Sequence, residues 1–464
     1  MTTAGPRILL AAATPTLDYV GDSFLQEFPC YAVRRLHAAL TSADLNAEVA
    51  VVEVSSENIQ ALDEAIEGFR PDVLGCSVYV WSFPTLLRAA QRAKEVRPEC
   101  LVVFGGPSAA PSMFELPPYR GKQVYVDALA VGEGETTLQE IVGTWPHSRE
   151  TLRNIQGLRL PGPEGWHDTP ARESLPPLDS LGSPYRLGLM PQRRMVYLET
   201  SRGCPFECLF CSWVAGGTGV RTMSTGRLQD ELEALKQYNP ELTYLIDAGL
   251  NLNRQAFKNL RAAERAADFL PGRRVTCEVY PVGVTTEHLD FLARAQVARV
   301  GIGVQSLNPE VLHKMHRPVK TRDLRKLVND FAAMGNVISD IELILGLPGD
   351  SPKSFRNTLD TVRDMPCNVR VYQALALPGA LMDRAPVELA VEFDPHTLVL
   401  SSCLGWSETE LQRERERLSE LVTESGRGVC GQCWWFFEPF TISSPSHQSA
   451  GAVSESTHAS DVRR

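Results

Sequence analysis

The sequence lacks long runs of apolar residues and shows no excess of positive charge. No apolar run approaches the length needed to span a bilayer, and the run from Ile8 to Ala13 is too short for a signal peptide. The net charge of −10 argues against binding to a nucleic-acid backbone. We therefore predict a cytoplasmic protein with no membrane or nucleic-acid partner and with a small-molecule or peptide substrate.

The cysteines do not follow the pattern of a disulfide-stabilised protein. There are eleven, an odd number, and most are scattered along the chain, as expected in a reducing compartment. Three of them, Cys204, Cys208 and Cys211, form a C-x3-C-x2-C motif directly after a strand-like stretch. A zinc site would need a fourth cysteine or histidine nearby, and the nearest histidines, His167 and His288, are far away in the sequence. The motif favours an iron–sulfur cluster over a zinc site or a disulfide with a spare thiol.

Three thiolates in one loop can bind three irons of a 4Fe-4S cluster. Clusters that only carry electrons normally use four cysteines, so this motif leaves one iron open to another ligand. The motif resembles that of the radical S-adenosylmethionine (SAM) enzymes, C-x3-C-x-aromatic-C, with Phe210 as the aromatic residue. The resemblance implies that the open iron chelates the amino and carboxylate groups of SAM, and that one electron cleaves SAM to a 5′-deoxyadenosyl radical. It also implies a one-electron donor such as flavodoxin or ferredoxin.

Residues 1–145 alternate short apolar runs with helical patterns. Such runs are typical of buried parallel strands, and their alternation with helices predicts a doubly wound, Rossmann-like α/β domain. The predicted strands are Arg7–Ala12, Glu48–Val54, Asp72–Val80, Leu101–Phe104 and Val124–Val131, and the predicted helices include one from near Cys30 to Leu40 and one over Thr85–Val96.

The remainder of the chain divides into four segments. Residues 146–194, rich in proline and glycine, are predicted to form a linker. Residues 195–385 contain six strand–helix units, which fit a partial (β/α)6 TIM barrel, the fold of the radical SAM enzymes. We predict a small, mostly helical C-terminal region at 386–442 and a disordered tail at 443–464. The barrel strands are predicted to begin near Met195, Thr243, Val275, Ala298, Asp340 and Arg370.

Three loops at predicted strand ends of the first domain indicate a ligand. None matches G-x-G-x-x-G, which argues against a dinucleotide. Together they resemble the cobalamin-binding domain that precedes the barrel in one large class of radical SAM enzymes. The histidine that ligates cobalt in many cobalamin proteins is missing, so Tyr79 or Trp81 is a candidate to cover the lower face. The alternatives are that both are core aromatic residues, or that the domain has lost its ligand. The residues that the resemblance assigns to cobalamin are Ser77, Tyr79, Trp81, Gly105, Gly106, Gly132, Glu133, Gly134 and Glu135.

Polar residues at the ends of later barrel strands resemble the SAM-binding residues of the same family. The resemblance implies that Asp247 and Asn251 lie where the amino group of SAM is held, and that Glu278 approaches the ribose. Gln305 ends the next strand, and Glu342 opens a match to the family's Asp-Leu-Ile-x-Gly-Leu-Pro-Gly motif. Carboxylates and amides suit the ammonium and ribose groups of SAM. The alternative is that these side chains make structural contacts at the barrel rim.

Two further features leave more than one interpretation open. Arg202, inside the cysteine loop, pairs either with a carboxylate near the cluster or with Glu199. Cys430 and Cys433 form a C-x-x-C pair just before Trp434. Two thiols are too few for a second cluster, so the favoured interpretation is free thiols in an aromatic-rich segment that packs onto the barrel.

The two resemblances together predict a cobalamin-dependent radical SAM methyltransferase that acts on an unactivated carbon of a small molecule. The alternative keeps both cofactors but catalyses a cyclisation, rearrangement or oxidation. A methylthiotransferase is disfavoured because Cys30, Cys76 and Cys100 do not fall at strand-end loops. A non-catalytic sensor is disfavoured because the barrel motifs are intact.

Overall fold

Two largely parallel sheets, one in each half of the chain, organise the protein in this computed structural model. No helix among the described residues is long and apolar enough to cross a bilayer. The structure describes residues 5–15, 29–56, 58–172, 175–213, 219–317, 323–424, 429–430 and 433–436.

The first sheet is built from seven strands. They are β1 (Arg7–Thr14), β2 (Glu48–Ser55), β3 (Val73–Ser77), β4 (Leu101–Gly105), β5 (Ala128–Ala130), β6 (Leu158–Gly162) and β7 (Gly165–Asp168). The helices of this half are α1 (Tyr31–Ser42), α2 (Ile59–Phe69), α3 (Phe83–Val96), α4 (Pro111–Glu115), α5 (Gly134–Gly143) and α6 (Arg149–Arg153). The strand order is β2-β1-β3-β4-β5-β6-β7, and the first five strands are parallel.

Strand β1 shows why this sheet is covered by helices on both faces. Ile8 and Leu10 pack into a core that includes residues of α1 and α5, whereas Leu9 and Ala11 pack into a core that includes residues of α2 and α3. Side chains alternate between the two faces of a strand, so a strand that is apolar at every position must be buried on both sides. This arrangement confirms the predicted doubly wound domain.

Two predictions for this half are wrong in part. The predicted strand Val124–Val131 begins only at Ala128, because residues 122–125 form a 3-10 turn in which Val124 is 69% exposed. The predicted linker at 146–194 contains α6, β6 and β7, and the two strands extend the first sheet in antiparallel fashion. Leu158 and Leu160 alternate inward along β6, a short pattern that the neighbouring prolines and glycines conceal.

The second sheet belongs to the barrel and the C-terminal region. Its strands are β8 (Met195–Leu198), β11 (Leu242–Leu245), β12 (Arg274–Val279), β13 (Val297–Gln305), β14 (Val337–Leu345), β15 (Asn368–Gln373), β18 (Val429–Cys430) and β19 (Cys433–Phe436), and short strands outside it are β9 (Ser201–Arg202), β10 (Arg221–Thr222), β16 (Glu392–Phe393) and β17 (Leu400–Ser402). The helices are α7 (Thr225–Lys236), α8 (Arg254–Ala267), α9 (Thr286–Ala293), α10 (Pro309–Lys314), α11 (Leu324–Ala333), α12 (Pro352–Arg363), α13 (Leu381–Arg384) and α14 (Glu408–Glu424).

The barrel strands run in the order β8-β11-β12-β13-β14-β15, all parallel. Each predicted strand start falls within one residue of the observed start or inside the strand, so the predicted open six-unit barrel is confirmed. The carboxyl ends of these strands meet at one mouth, where the loops of a barrel carry its chemistry.

The C-terminal region is less helical than predicted. Helix α14 begins at the predicted capping box, in which Ser407 and Glu410 exchange side-chain and backbone hydrogen bonds. Strand β19 then pairs antiparallel with β15 and buries Trp434 and Trp435. Strand β19 lies between β15 and the edge strand β18, where its aromatic residues cover the last barrel strand. The predicted tail at 443–464 lies outside the described residues.

Candidate active site

A cavity of about 1010 Å³ lies between the two sheets and is lined by the carboxyl ends of strands from both. On the side of the first domain, it opens beside β1 and β3, where the strand order reverses and where doubly wound sheets bind their ligands. Every predicted site residue except Asn251 lines this cavity. The structure therefore brings the cysteine motif and the three strand-end loops of the first domain to one place.

The cysteine loop follows β8 and is held by backbone hydrogen bonds. Cys208 is buried, whereas Cys204 and Cys211 are partly exposed to the cavity. The Arg384 guanidinium donates to the carbonyls of Cys208 (2.8 Å) and Cys211 (3.1 Å). The amide of Leu209 donates to the carbonyl of Met315 at 3.0 Å. These contacts fix the loop conformation independently of any bound group.

The thiols are electrostatically coupled to one another and to one cation. Burial raises the pKa of Cys204 and Cys211, and the charges of neighbouring cysteine thiolates raise it further. The Arg317 guanidinium lowers both pKa values and lies 3.8 Å from the Cys208 sulfur. Arg317 also donates to the Gly303 carbonyl and lies over the Tyr280 ring.

The thiol arrangement fits a cluster better than a single metal ion. Among the described residues, no group of three or more His, Cys, Asp or Glu side chains is arranged to hold one ion. A cubane has a different requirement, because each of three cysteines binds its own iron and the sulfurs stay apart. Bound iron would neutralise thiolates that burial and mutual repulsion otherwise disfavour, so the three residues fit a 4Fe-4S cluster.

Two carboxylates, Glu278 and Glu342, face the same cavity from β12 and β14. Burial is the main cause of the raised pKa of each, and the nearby negative charges, including that of Glu342 on Glu278, raise it further. Gly301 makes room for Glu278, because a side chain there would collide with its carboxylate. Glu342 accepts a hydrogen bond from the Tyr372 hydroxyl at 3.3 Å. The pair therefore retains protons more readily than ordinary carboxylates do.

Asp247 and Asn251 have structural partners at the end of β11. The Asp247 carboxylate accepts hydrogen bonds from the amides of Thr200 (2.8 Å) and Ser201 (2.9 Å), and burial raises its pKa to about 6. It therefore shapes the turn that leads into the cysteine loop. Asn251 lies outside the cavity lining, and its amide donates to the Tyr280 carbonyl at 2.9 Å. The assignment of Asn251 to SAM stays a prediction.

Glycine backbone forms much of the cavity wall on the side of the first domain. Gly106 has a φ of +99°, and a Cβ atom there would lie 2.9 Å from the Val78 carbonyl oxygen. Gly132 has a φ of +79°. Only glycine adopts such conformations readily. These positions let a large, flat ligand approach the main chain closely, as the corrin of cobalamin requires.

The two aromatic residues of this wall stack on each other. The rings of Tyr79 and Trp81 are 4.6 Å apart with an interplanar angle of 12°. Trp81 is 46% exposed and lines the cavity, so the alternative that it is a core residue is wrong. The stacked pair gives this side of the cavity an apolar, aromatic surface.

Sequence analysis missed two residues of the site, and the structure shows why. Arg317 lies beyond a short helix, twelve residues after Gln305, and nothing in the local sequence separates it from a surface arginine. Glu342 was noted in its motif but not as a lining residue. Its place at the start of that motif, near the carboxyl end of β14, was the available signal. Gln305 itself has a φ of +70°, uncommon for a residue other than glycine and often found at functional sites.

The remaining cysteines lie apart from the motif. Cys430 and Cys433 are paired in register across the β18–β19 hairpin, and Cys433 is absent from the cavity lining. Cys30 and Cys76 line the cavity, but Cys100 is buried and does not. The structure therefore does not bring Cys30, Cys76 and Cys100 together at one lining.

Two family models match this chain. The radical SAM superfamily matches residues 198–362, and the B12-binding domain matches residues 19–142. The first range runs from the end of β8 through most of α12 and includes the three motif cysteines. The second includes all three strand-end loops of the first domain.

Curated relatives extend this similarity. A "2-(S-pantetheinyl)-carbapenam-3-carboxylate methyltransferase" from Streptantibioticus cattleyicolor is 31% identical over 338 residues, which are 67% of this chain and 48% of the relative. The "cobalamin-dependent radical SAM methyltransferase TokK" from Streptomyces tokunonensis is 30% identical over 354 residues, which are 69% of this chain and 50% of the relative. The chain thus spans about half the length of these relatives.

A solved structure shares the fold. The methyltransferase TsrM from Kitasatospora setae, determined with cobalamin and a 4Fe-4S cluster bound, aligns with a TM-score of 0.63 at 19% identity. The alignment covers 82% of this chain and 74% of TsrM. At this level of identity the match supports the arrangement of the two domains.

Proposed function

Because this chain belongs to the radical SAM enzymes that carry a B12-binding domain, we propose that it is a cobalamin-dependent methyltransferase. The proposed acceptor is an unactivated carbon of a small molecule. The observation that carries the proposal is the single cavity that the cysteine loop and the glycine-containing loops both line. Two relatives of at least 30% identity are named as methyltransferases, which favours methyl transfer over cyclisation, rearrangement or oxidation.

We assign the motif cysteines to the cluster, since they are the thiols of the barrel mouth. Cys204, Cys208 and Cys211 would each bind one iron and leave the fourth iron to SAM. Arg317 is the cation beside these thiols, and we propose that it pairs with the SAM carboxylate. Glu278 and Gln305 line the same wall and would contact the ammonium or ribose groups through hydrogen bonds.

The first domain would hold cobalamin mainly through its backbone. Gly105, Gly106 and Gly132 would allow the corrin and its tail to lie against the main chain, and Tyr79 with Trp81 would cover an apolar face. When bound, the cluster would supply an electron to one SAM molecule, which would give the 5′-deoxyadenosyl radical, a second SAM molecule would supply the methyl group, and cobalamin would carry it. The contribution of the chain is to orient these groups around one substrate position and to exclude water from it.

We also propose an electron donor and a cellular compartment for this protein. A small one-electron donor of the flavodoxin or ferredoxin type would reduce the cluster. Cys204, Cys208 and Cys211 are free thiols, which suits a cytoplasm that keeps thiols reduced.

The proposal is tested by an anaerobic assay with the reconstituted protein, SAM and a chemical reductant. Candidate acceptors are a pantetheinylated carbapenam, because a relative is named for it, and tryptophan. Methyl transfer predicts 5′-deoxyadenosine, S-adenosylhomocysteine and an acceptor that has gained one methylene unit. Formation of 5′-deoxyadenosine with a changed but unmethylated acceptor would contradict the proposal and favour the cyclisation or oxidation class.

A further inference from the structure

Arg202 connects the cysteine loop to the first domain. It lies two residues before Cys204. Its guanidinium reaches the carboxylates of Glu133 (2.7 Å), in the loop that follows β5, and of Glu135 (2.7 Å), in the first turn of α5. The same guanidinium donates to Glu199 at 2.6 Å, so the interpretation that Arg202 pairs with Glu199 is confirmed. A single side chain thus joins the predicted B12-binding loop to the predicted cluster loop.

Two further arginines complete this network. Arg35 of α1 lies 3.6 Å from Glu135 and 3.8 Å from Glu199, and it is 3% exposed. Arg221 of β10 pairs with Glu133. The network therefore contains three guanidinium groups and three carboxylates, drawn from both domains. Glu133 and Glu135, predicted as cobalamin contacts, use their carboxylates to hold the barrel.

The burial of the network argues for orientation rather than simple stability. The side chain of Arg202 is 16% exposed, and those of Glu135 and Glu199 are 8% and 9% exposed. Buried ion pairs are rarely more stabilising than apolar packing, because the desolvation of the charges offsets their attraction. Their geometry is specific, however, because the planar fork of arginine donates hydrogen bonds to carboxylates only in fixed directions.

We propose that Arg202 is a positioning residue that fixes the cluster loop relative to the B12-binding loop. Through this link, the position of the cluster loop determines how tightly the first domain binds cobalamin and how far apart the two cofactors lie. The inference rests on the proposed function, because it assigns the two loops to the two cofactors. It concerns Arg202 itself, which would touch neither the substrate nor the transferred methyl group.

Two variants separate charge from geometry. Arg202→Met removes the charge and keeps most of the length of the side chain. Arg202→Lys keeps the charge but loses the bidentate fork. The matched control is Arg194→Met, because Arg194 pairs with Glu241 at 2.6 Å just before β8 but is about half exposed and remote from the cavity.

The experiment uses the full chain, anaerobically reconstituted with iron and sulfide and titrated with hydroxocobalamin. Iron per chain, the dissociation constant of hydroxocobalamin, and the spin relaxation of its Co(II) form beside the reduced cluster are measured. We expect Arg202→Met to keep its iron, to bind hydroxocobalamin about tenfold more weakly, and to show less relaxation enhancement. Arg202→Lys should fall between Arg202→Met and the wild type, and Arg194→Met should match the wild type.

Wild-type affinity and relaxation in Arg202→Met would overturn the positioning role. If Arg202→Met fails to fold, Glu133→Gln provides the test, because it weakens the same link from the other domain at a side chain that is 22% exposed. We then expect a loss of affinity of about threefold, and an unchanged affinity would overturn the inference. A wild-type protein that binds no cluster or no hydroxocobalamin would instead overturn the proposed function itself.

Discussion

The two walls of the cavity are built from different kinds of atoms. On the side of the first domain, Gly105, Gly106 and Gly132 expose main chain, and the charged side chains of Arg35, Glu133 and Glu135 are taken up by ion pairs with one another or with Arg202. On the barrel side, thiols, carboxylates and the Arg317 guanidinium face the same space. The difference teaches that one wall is shaped to accept a large surface, whereas the other is chemically equipped to bind iron and small polar groups.

This contrast has a physical basis in what each ligand offers. A corrin is broad and flat, so close approach and shape decide its binding, and glycine permits both. A cluster and SAM present iron, a carboxylate, an ammonium and hydroxyl groups, so specific side chains must meet them. Substitutions on the barrel wall should therefore impair cluster binding, whereas substitutions on the opposite wall should impair cobalamin binding.

The largest effect is expected on the barrel wall. Cys208→Ala should reduce iron from about four atoms per chain to nearly none, because a cubane held at two corners is not retained. Iron analysis and visible absorbance after anaerobic reconstitution measure this loss. Cys403→Ala is the control, because Cys403 is a buried thiol that does not line the cavity. Retention of the full cluster by Cys208→Ala would contradict the assignment of the motif.

The next effect is expected on the opposite wall. Gly106→Ala should weaken hydroxocobalamin binding at least about tenfold, because the new Cβ lies 2.9 Å from the Val78 oxygen and forces the loop to shift. Gly121→Ala is the matched control, since Gly121 has a similar positive φ of +83° but no atom within 4 Å of a built Cβ. Both should lose about 1 to 3 kcal/mol of stability from backbone strain.

Equal hydroxocobalamin affinities for Gly106→Ala and Gly121→Ala would show that the first wall does not bind through its backbone. The iron content of both variants should equal that of the wild type, because neither touches the cysteine loop. A loss of iron in Gly106→Ala would show that a change in the first wall also affects cluster binding on the barrel wall.

A smaller effect concerns the boundary between the walls. Burial raises the pKa of Glu135, but the charges of Arg202 and Arg35 lower it by more. The pKa of Glu135 is therefore about 2, below the ordinary 4.5. A depressed carboxyl pKa stabilises the fold above about pH 4.5 and loses that contribution as the pH falls toward 2. The shift corresponds to about 3 kcal/mol.

Glu135→Gln should therefore make the free energy of unfolding less dependent on pH between about 4.5 and 2. Urea denaturation of the apoprotein across this range, followed by circular dichroism, measures the slope. Glu48→Gln is the control, because Glu48 pairs with Arg7 on the surface. Equal slopes for Glu135→Gln and the wild type would contradict the ionised, paired state of Glu135.

The smallest effect is expected from the C-terminal cysteines. The double variant Cys430→Ala/Cys433→Ala should bind as much iron as the wild type, because Cys433 is outside the cavity lining. Iron analysis tests this expectation directly. A loss of iron would indicate a second cluster and would extend the metal chemistry beyond the barrel mouth.

Sequence patterns predicted the elements that are apolar throughout and the motifs that are local. The six parallel barrel strands and the cysteine loop after β8 follow from short-range spacing. The strand β6 was missed because Pro161 and Gly162 dominate its short alternating pattern. The strand β19 was missed because its aromatic residues, including Trp435, are compatible with several structures.

Long-range partners were harder to predict than elements. Arg202 meets Glu133 across a separation of 69 residues, and nothing in either local sequence favours the other. Arg317 approaches Cys208 across a separation of 109 residues. The first pair depends on how the two sheets meet and the second on how the barrel loops meet, so both are fixed by tertiary packing rather than by spacing. Asn251 illustrates the same limit, since its hydrogen bond to the Tyr280 carbonyl could not be predicted from its motif, and its assignment to SAM stays a prediction.

The central claim is that one cavity brings a three-cysteine cluster, SAM and cobalamin together. Electron paramagnetic resonance of the reduced, anaerobically reconstituted protein with bound cobalamin, recorded before and after the addition of SAM, tests it most directly. The account predicts that SAM alters the cluster spectrum and that the reduced cluster accelerates the relaxation of the Co(II) signal. A cluster spectrum that is identical with and without SAM would contradict it.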